Sequence, residues 1–226
     1  QRITAIVSGS HAWDMRGDTP VPLTRGYLDG IPYHELRQLE IAITPHGFLK
    51  AALAAPDATA IRMQLVGASD FGLSQFGRYV TIVSFTLLDK YKINGTIDDR
   101  NLVELVGTWI GNPVYGDMDY EMRYTRYQDV GGGVMFPMLV HTHQADPRLN
   151  PAHNYYEYEI TSVKPNAAVT TMPVPEAVRT ASIPPARVQS QQLAEGVWLL
   201  GGQTHNSLLV EFRDYVAVVE APNNEA

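Results

Sequence analysis

The stretch Leu193-Ala194-Glu195-Gly196-Val197-Trp198-Leu199-Leu200-Gly201-Gly202-Gln203-Thr204-His205-Asn206-Ser207-Leu208-Leu209-Val210-Glu211-Phe212 sets two runs of large apolar residues on either side of a glycine-rich turn. Short apolar runs bounded by Gly and Asn read as buried strands, because a helix of the same burial needs a longer periodic segment. A tight turn at Arg213-Asp214 and a further strand from Tyr215 to Val219 follow. A β unit is therefore expected over residues 189–226.

Upstream of it, Lys164 to Val188 holds Pro165, Pro173, Pro175, Pro184 and Pro185 without periodicity and reads as an extended linker, with its boundaries placed at 166–188. Further back, from Ile61 to Val163, the pattern has period two: Tyr79, Thr81, Val83, Phe85 and Leu87 alternate with Val80, Ile82, Ser84, Thr86 and Leu88. Asn94-Gly95 is the dipeptide favoured in type I′ hairpin turns, so a turn is expected there. Strands are also expected at Met118 to Tyr127, Val134 to Gln144 and Tyr155 to Val163, separated by Gly131-Gly132-Gly133 and by the turn region from Asp146 to Pro151.

Residues 33–55 carry the one helical signal. Leu36, Leu39 and Ile43 share a face, then Thr44-Pro45 reads as an N-cap with Pro at the first helical position, restarting a helix through Phe48, Leu49, Ala52 and Leu53. The expected class is α+β: over residues 1–165, a half-barrel-like antiparallel sheet curved around two short helices.

Composition narrows the function classes. Hydrophobic residues at 45% and charged residues at 18% predict a packed fold rather than a disordered chain. A net charge of -7 opposes binding to nucleic-acid phosphates, and no Lys/Arg cluster offsets it locally. Cysteine is absent, which removes disulfides, thiolate nucleophiles and Cys-based zinc sites. Apolar runs such as Val80 to Leu88 fall far short of the roughly 20 residues that span a bilayer, so no transmembrane segment is expected. The start at Gln1, without an initiator Met or a leader, is read as the interior of a longer gene product.

The Leu193 to Phe212 stretch, followed by Val218-Val219-Glu220-Ala221-Pro222, resembles the opening strands of metallo-β-lactamase-fold hydrolases over about forty residues. Thr44-Pro45-His46-Gly47-Phe48-Leu49-Lys50-Ala51-Ala52-Leu53-Ala54 and Gly133-Val134-Met135-Phe136-Pro137 look like the extra amino-terminal domain of one exported bacterial branch of that family, a domain similar to lipoprotein carriers. The resemblance implies a four-layer αββα sandwich whose zinc ions are held by a His-x-His-x-Asp-His motif and later His and Asp ligands. It implies a periplasmic or secreted protein acting on a small-molecule substrate. In such sites zinc lowers the pKa of a bound water towards neutrality and polarises the scissile group. The motif does not occur in these 226 residues, so the chain alone is expected to bind no metal and to catalyse nothing. Residues 190–222 are expected to be covered by the remaining lactamase-like polypeptide or by a partner chain. The alternative is a non-catalytic binding module whose curved sheet holds an apolar ligand or a partner.

Several residues invite a site reading. His205 and Asn206 lie in the glycine-rich turn, where loops border an active-site groove, and Glu220 stands where the family usually has a strand-end Asp that supports the metal ligands. These three are the candidates for groove or supporting roles. His141-Thr142-His143-Gln144-Ala145-Asp146 suggests a metal site, yet Ala145 and Asp146 stand where the family motif needs Asp and His, and alternation on a half-exposed strand explains the pair. His46 has no acidic or His neighbours in sequence and is read as structural. Most of Tyr115, Tyr120, Tyr124, Tyr127, Tyr155, Tyr156 and Tyr158 are read as cross-strand packing, with the remainder available to line a concave sheet. Gly131-Gly132-Gly133 lacks the following Lys-Ser/Thr and helix of a phosphate loop.

Overall fold

The computed structural model describes residues 3–23, 31–64, 77–112, 116–145, 154–168, 172–182, 188–201 and 206–220. Two compact units are present: Gln1–Leu36 with Gly111–Gly116 and Val174–Ala226, and Arg37–Ile110 with Asp117–Pro173. Among the described residues strands make up 55% and helices 14%, in three antiparallel sheets, so the fold is β-rich and the expected α+β class is corrected. Among the described residues the helical signal yields only α1 (Tyr33–Ala42) and α2 (Pro45–Ala54), with a single further turn, α3 (Glu176–Arg179), inside the proline-rich stretch. The period-two signal runs on much further, and the amino-terminal segment adds three more strands.

In the first unit, β1 (Ile3–Ser8), β2 (His11–Arg16) and β3 (Thr19–Pro22) form a three-stranded antiparallel meander. Trp13 on β2 is fully buried, and α3 packs on β2 and β3 with Val178 at 5% exposure.

The second unit is built on a seven-stranded meander in sequence order: β4 (Thr59–Gln64), β5 (Tyr79–Leu87), β6 (Tyr91–Ile97), β7 (Val103–Asn112), β8 (Gly116–Asp129), β9 (Met135–Ala145) and β10 (Asn154–Glu159). The start of α2 is fixed as the sequence predicts: Thr44 Oγ1 accepts from the Gly47 N–H at 3.2 Å, with Pro45 in the first turn. From that turn Phe48 drops onto the sheet, its ring 5.7 Å from that of Phe85. Ile93 and Gly95 on β6, with Val106 paired opposite Gly95 on β7, are buried on the same side. From β8, the Tyr124 hydroxyl donates to the Ile43 carbonyl between the two helices at 2.6 Å.

The expected turn at Asn94-Gly95 is not there. Both residues lie inside β6, and the β5–β6 reversal occurs at Leu88 and Asp89, each with φ 53. Packing overrides the local turn preference: glycine is needed at position 95 because the Phe48 ring occupies the space of a side chain. The Gly131-Gly132-Gly133 turn is as expected, with φ values of 123, 67 and 79 and the Gly131 N–H bound to Asp129 Oδ1 at 2.8 Å.

The carboxyl-terminal strands belong to the first unit: β11 (Gln189–Ala194), β12 (Val197–Gly201), β13 (Ser207–Glu211) and β14 (Val216–Val219), antiparallel in that order. The three strands expected between residues 197 and 219 are therefore present, and the glycine-rich connection at 202–205 lies outside the described residues. Arg213-Asp214 is the tight turn, closed by Phe212 N–H to Tyr215 carbonyl at 2.8 Å with the two rings stacked 4.6 Å apart.

Candidate functional site

Register decides which of the proposed groove residues come together. Leu200 pairs with Ser207 and Leu208 with Val219, so the end of β12, the start of β13 and the end of β14 lie at one end of the sheet. Asn206 and Glu220, the residues just before β13 and just after β14, are thereby brought to the same end, and both are exposed. Asn206 turns back on β12: a Cβ on Gly201 would lie 3.1 Å from Asn206 Oδ1. Glu220 has φ 60, so the chain bends sharply as it leaves β14. His205 lies outside the described residues.

The same register assigns the faces. Val197, Leu199, Leu208, Val210, Ala217 and Val219 point to one side, and Trp198, Leu200, Leu209, Val216 and Val218 to the other. Across β12 to β14 both faces are mainly apolar, with Ser207 and Glu211 on the second, whereas the exposed strand β11 places Gln or Ser on both. Val216, Val218 and Val219 are 58%, 54% and 54% exposed. A sheet with one solvated face alternates apolar and polar residues, whereas continuous apolar strands belong to sheets covered on both sides.

A second constellation lies on the seven-stranded sheet. Glu121 pairs with His143, Arg123 with His141, and His141 with Glu157, which lines up five titratable side chains across β8, β9 and β10 on one face. His143 Nδ1 is 4.0 Å from Glu121 Oε1, and His141 Nδ1 is 3.4 Å from Glu157 Oε2. Arg123 Nε donates to Glu121 Oε1 at 2.5 Å, and the two imidazoles meet edge to face at 6.4 Å. Burial, with Arg123 and His141 close by, pulls the His143 pKa down to about 4, so at neutral pH this ring is uncharged. Asp119, next along β8 on the same face, has its pKa pushed up to about 6, first by burial and then by the Glu121 charge.

The sequence reading singled out His141 and His143 but missed Glu121, Arg123 and Glu157 as their neighbours. A signal existed for two of them. If Gly132 is taken as the hairpin centre, Glu121 and His143 are equidistant from it, as are Arg123 and His141. Among the described residues no group of three or more His, Asp or Glu is arranged to hold a metal ion, and Asp146 lies outside them. His46 stacks on Phe136 with ring centroids 5.6 Å apart. Tyr120 and Tyr124 are buried, whereas Tyr156 and Tyr158 are about half exposed on the edge strand β10. No described helix is long and apolar enough to cross a membrane. No family model, curated protein or solved structure matches the chain.

Proposed function

We propose that the chain is the amino-terminal portion of an exported, zinc-dependent hydrolase of the metallo-β-lactamase fold. In this reading β11 to β14 open the catalytic sandwich, and the zinc-binding motif lies outside these 226 residues. The observation that carries it is that β12 to β14 hold mainly apolar residues on both faces, since a sheet inside an αββα sandwich has a helical layer on one side and a second sheet on the other, while β11, with Gln or Ser on both faces, suits an exposed edge of that sheet. The resemblance of residues 193–222 supplies the family, and the convergence of Asn206 and Glu220 at one sheet end is consistent with loops bordering a groove there. Zinc chemistry is assigned to none of the described residues, because none of their clusters fits a metal. Export and a small-molecule substrate rest on the resemblance alone.

The test is made on the full-length gene product. It is expected to carry zinc by elemental analysis and to hydrolyse an ester, a lactone or a β-lactam, with activity lost on chelation and restored by zinc. A folded full-length product free of zinc and inert towards all three classes would overturn the proposal.

A further inference from the structure

A cavity of about 290 Å³ opens in the first unit where the start of β2, the chain after β3, the start of α1 and α3 meet. Its lining includes Ala12 and Val178, which are 3% and 5% exposed, together with Leu23 and Pro32. Against this apolar body stand His11, His34 and Arg179. Among the described residues no Asp or Glu lines the cavity, although acidic residues outnumber Lys and Arg by 24 to 17 in the chain. The first two residues of α1, Tyr33 and His34, also line it, which sets the positive end of the helix dipole beside it.

We propose that this cavity binds a small organic carboxylate with an apolar, single-ring-sized body, the ring lying on Ala12, Leu23 and Val178 and the carboxylate meeting Arg179, His11 and His34. The volume is at the small end of the range for ligand pockets, roughly 300 Å³ and upward, which excludes a nucleotide or a long acyl chain. Charge selects the head group: among the described lining residues a guanidinium and two imidazoles favour an anion over an amine, and Glu176 is the carboxylate that the ligand would displace at Arg179. Arg179 already pairs with Glu176 one turn back on α3, but both side chains are more than half exposed. Exposed ion pairs are weak, so exchanging one carboxylate for another at Arg179 costs little. The site is independent of the zinc-hydrolase reading, since none of its residues belongs to β11–β14.

Two-dimensional NMR of the isotope-labelled 226-residue chain, titrated with phenylacetate, 2-phenylacetamide and phenethylamine, tests the assignment. Phenylacetate is expected to bind with a dissociation constant of about 1 mM or below, shifting amides at residues 10–12, 33–36 and 178–181, while the amine gives no saturable shift. Arg179→Gln, a change at an exposed position, is expected to weaken phenylacetate at least about fivefold without altering the rest of the spectrum, and His34→Gln to weaken it further. The proposal is overturned by any of three results: no saturable shift with phenylacetate up to about 10 mM, equal binding of the neutral amide or the amine, or binding that both substitutions leave unchanged.

Discussion

The ring of Phe48 on α2 occupies the side-chain position of Gly95 on β6: a Cβ built on Gly95 would lie 2.2 Å from Phe48 Cζ and 2.6 Å from Cε2. The contact joins the helical connection to the centre of the seven-stranded sheet, and both partners are buried. Gly95→Ala is expected to destabilise the second unit by about 1–3 kcal/mol through overpacking. Phe48→Ala is expected to cost about 3–5 kcal/mol through the cavity it leaves. In a Phe48→Leu background the Gly95→Ala change should cost clearly less than in the natural sequence, because the ring edge that clashes is gone. Urea unfolding of the four proteins measures this coupling, and additive effects would contradict it.

Tyr124 ties β8 to the α1–α2 connection through a 2.6 Å bond to the Ile43 carbonyl, which comes from a fully buried residue. Removing only the hydroxyl leaves that carbonyl without its donor. Tyr124→Phe is therefore expected to cost about 1–3 kcal/mol, above the net value of an ordinary hydrogen bond. Burial holds the Tyr124 pKa well above the usual phenol range, so the bond is expected to persist to high pH. An unchanged unfolding midpoint in Tyr124→Phe would remove this tie from the account.

The polar row on β8 and β9 gives two titrations of opposite sign in one pH window. His143, at about 4 in the fold against an ordinary 6.5, leaves the unfolded chain binding more protons between those values, so its contribution is lost as pH falls. Asp119, at about 6 in the fold against 3.8, binds more protons in the folded state, so its contribution grows as pH falls. Asp119→Asn is accordingly expected to lose stability more steeply than the natural protein between pH 6 and 4. His143→Gln is expected to lose it less steeply. Unfolding midpoints measured for all three across that window decide the matter, and parallel curves would show that neither group is perturbed.

The helix starts were legible because capping is local: Thr44, Pro45 and the apolar spacing of Leu36, Leu39 and Ile43 lie within one short stretch. The strands β12, β13 and β14 were legible for the same reason. What sequence reading missed depends on partners distant in the chain. Asn94-Gly95 satisfies a turn rule, yet Gly95 is glycine because of Phe48, 47 residues earlier, and the turn falls on Leu88 and Asp89, of which only Asp89 is a favoured turn residue. The fold class was misjudged because one clear helical signal stands out more than many short strands. Glu157 as the neighbour of His141 required the β9–β10 register, and residues 146–153 between those strands hold no glycine to mark a centre of symmetry.

Zinc should distinguish the pair His141 and His143 from a metal site. Two imidazoles and two carboxylates on one sheet face look suitable, but the 6.4 Å ring separation and the Glu121–Arg123 ion pair do not converge on a single point. Calorimetric titration of the 226-residue chain is expected to show no stoichiometric site tighter than about 1 µM. A site of that strength that disappears in His143→Ala would give the chain a metal centre of its own.

Hydrogen exchange at the amides of residues 208–219 bears most directly on the claim that β11–β14 open a larger sandwich. Across β12 to β14 both faces are mainly apolar, and Phe212, Tyr215, Val216, Val218 and Val219 are 46% to 63% exposed. Covering a large apolar side chain contributes about 1.5–3 kcal/mol, so several such residues together are comparable to the net stability of a domain, about 5–15 kcal/mol. The account predicts fast exchange across these amides in the 226-residue chain alone and strong protection in the full-length gene product. Strong protection in the 226-residue chain alone would show a self-sufficient sheet that needs no further layers, and would contradict the assignment.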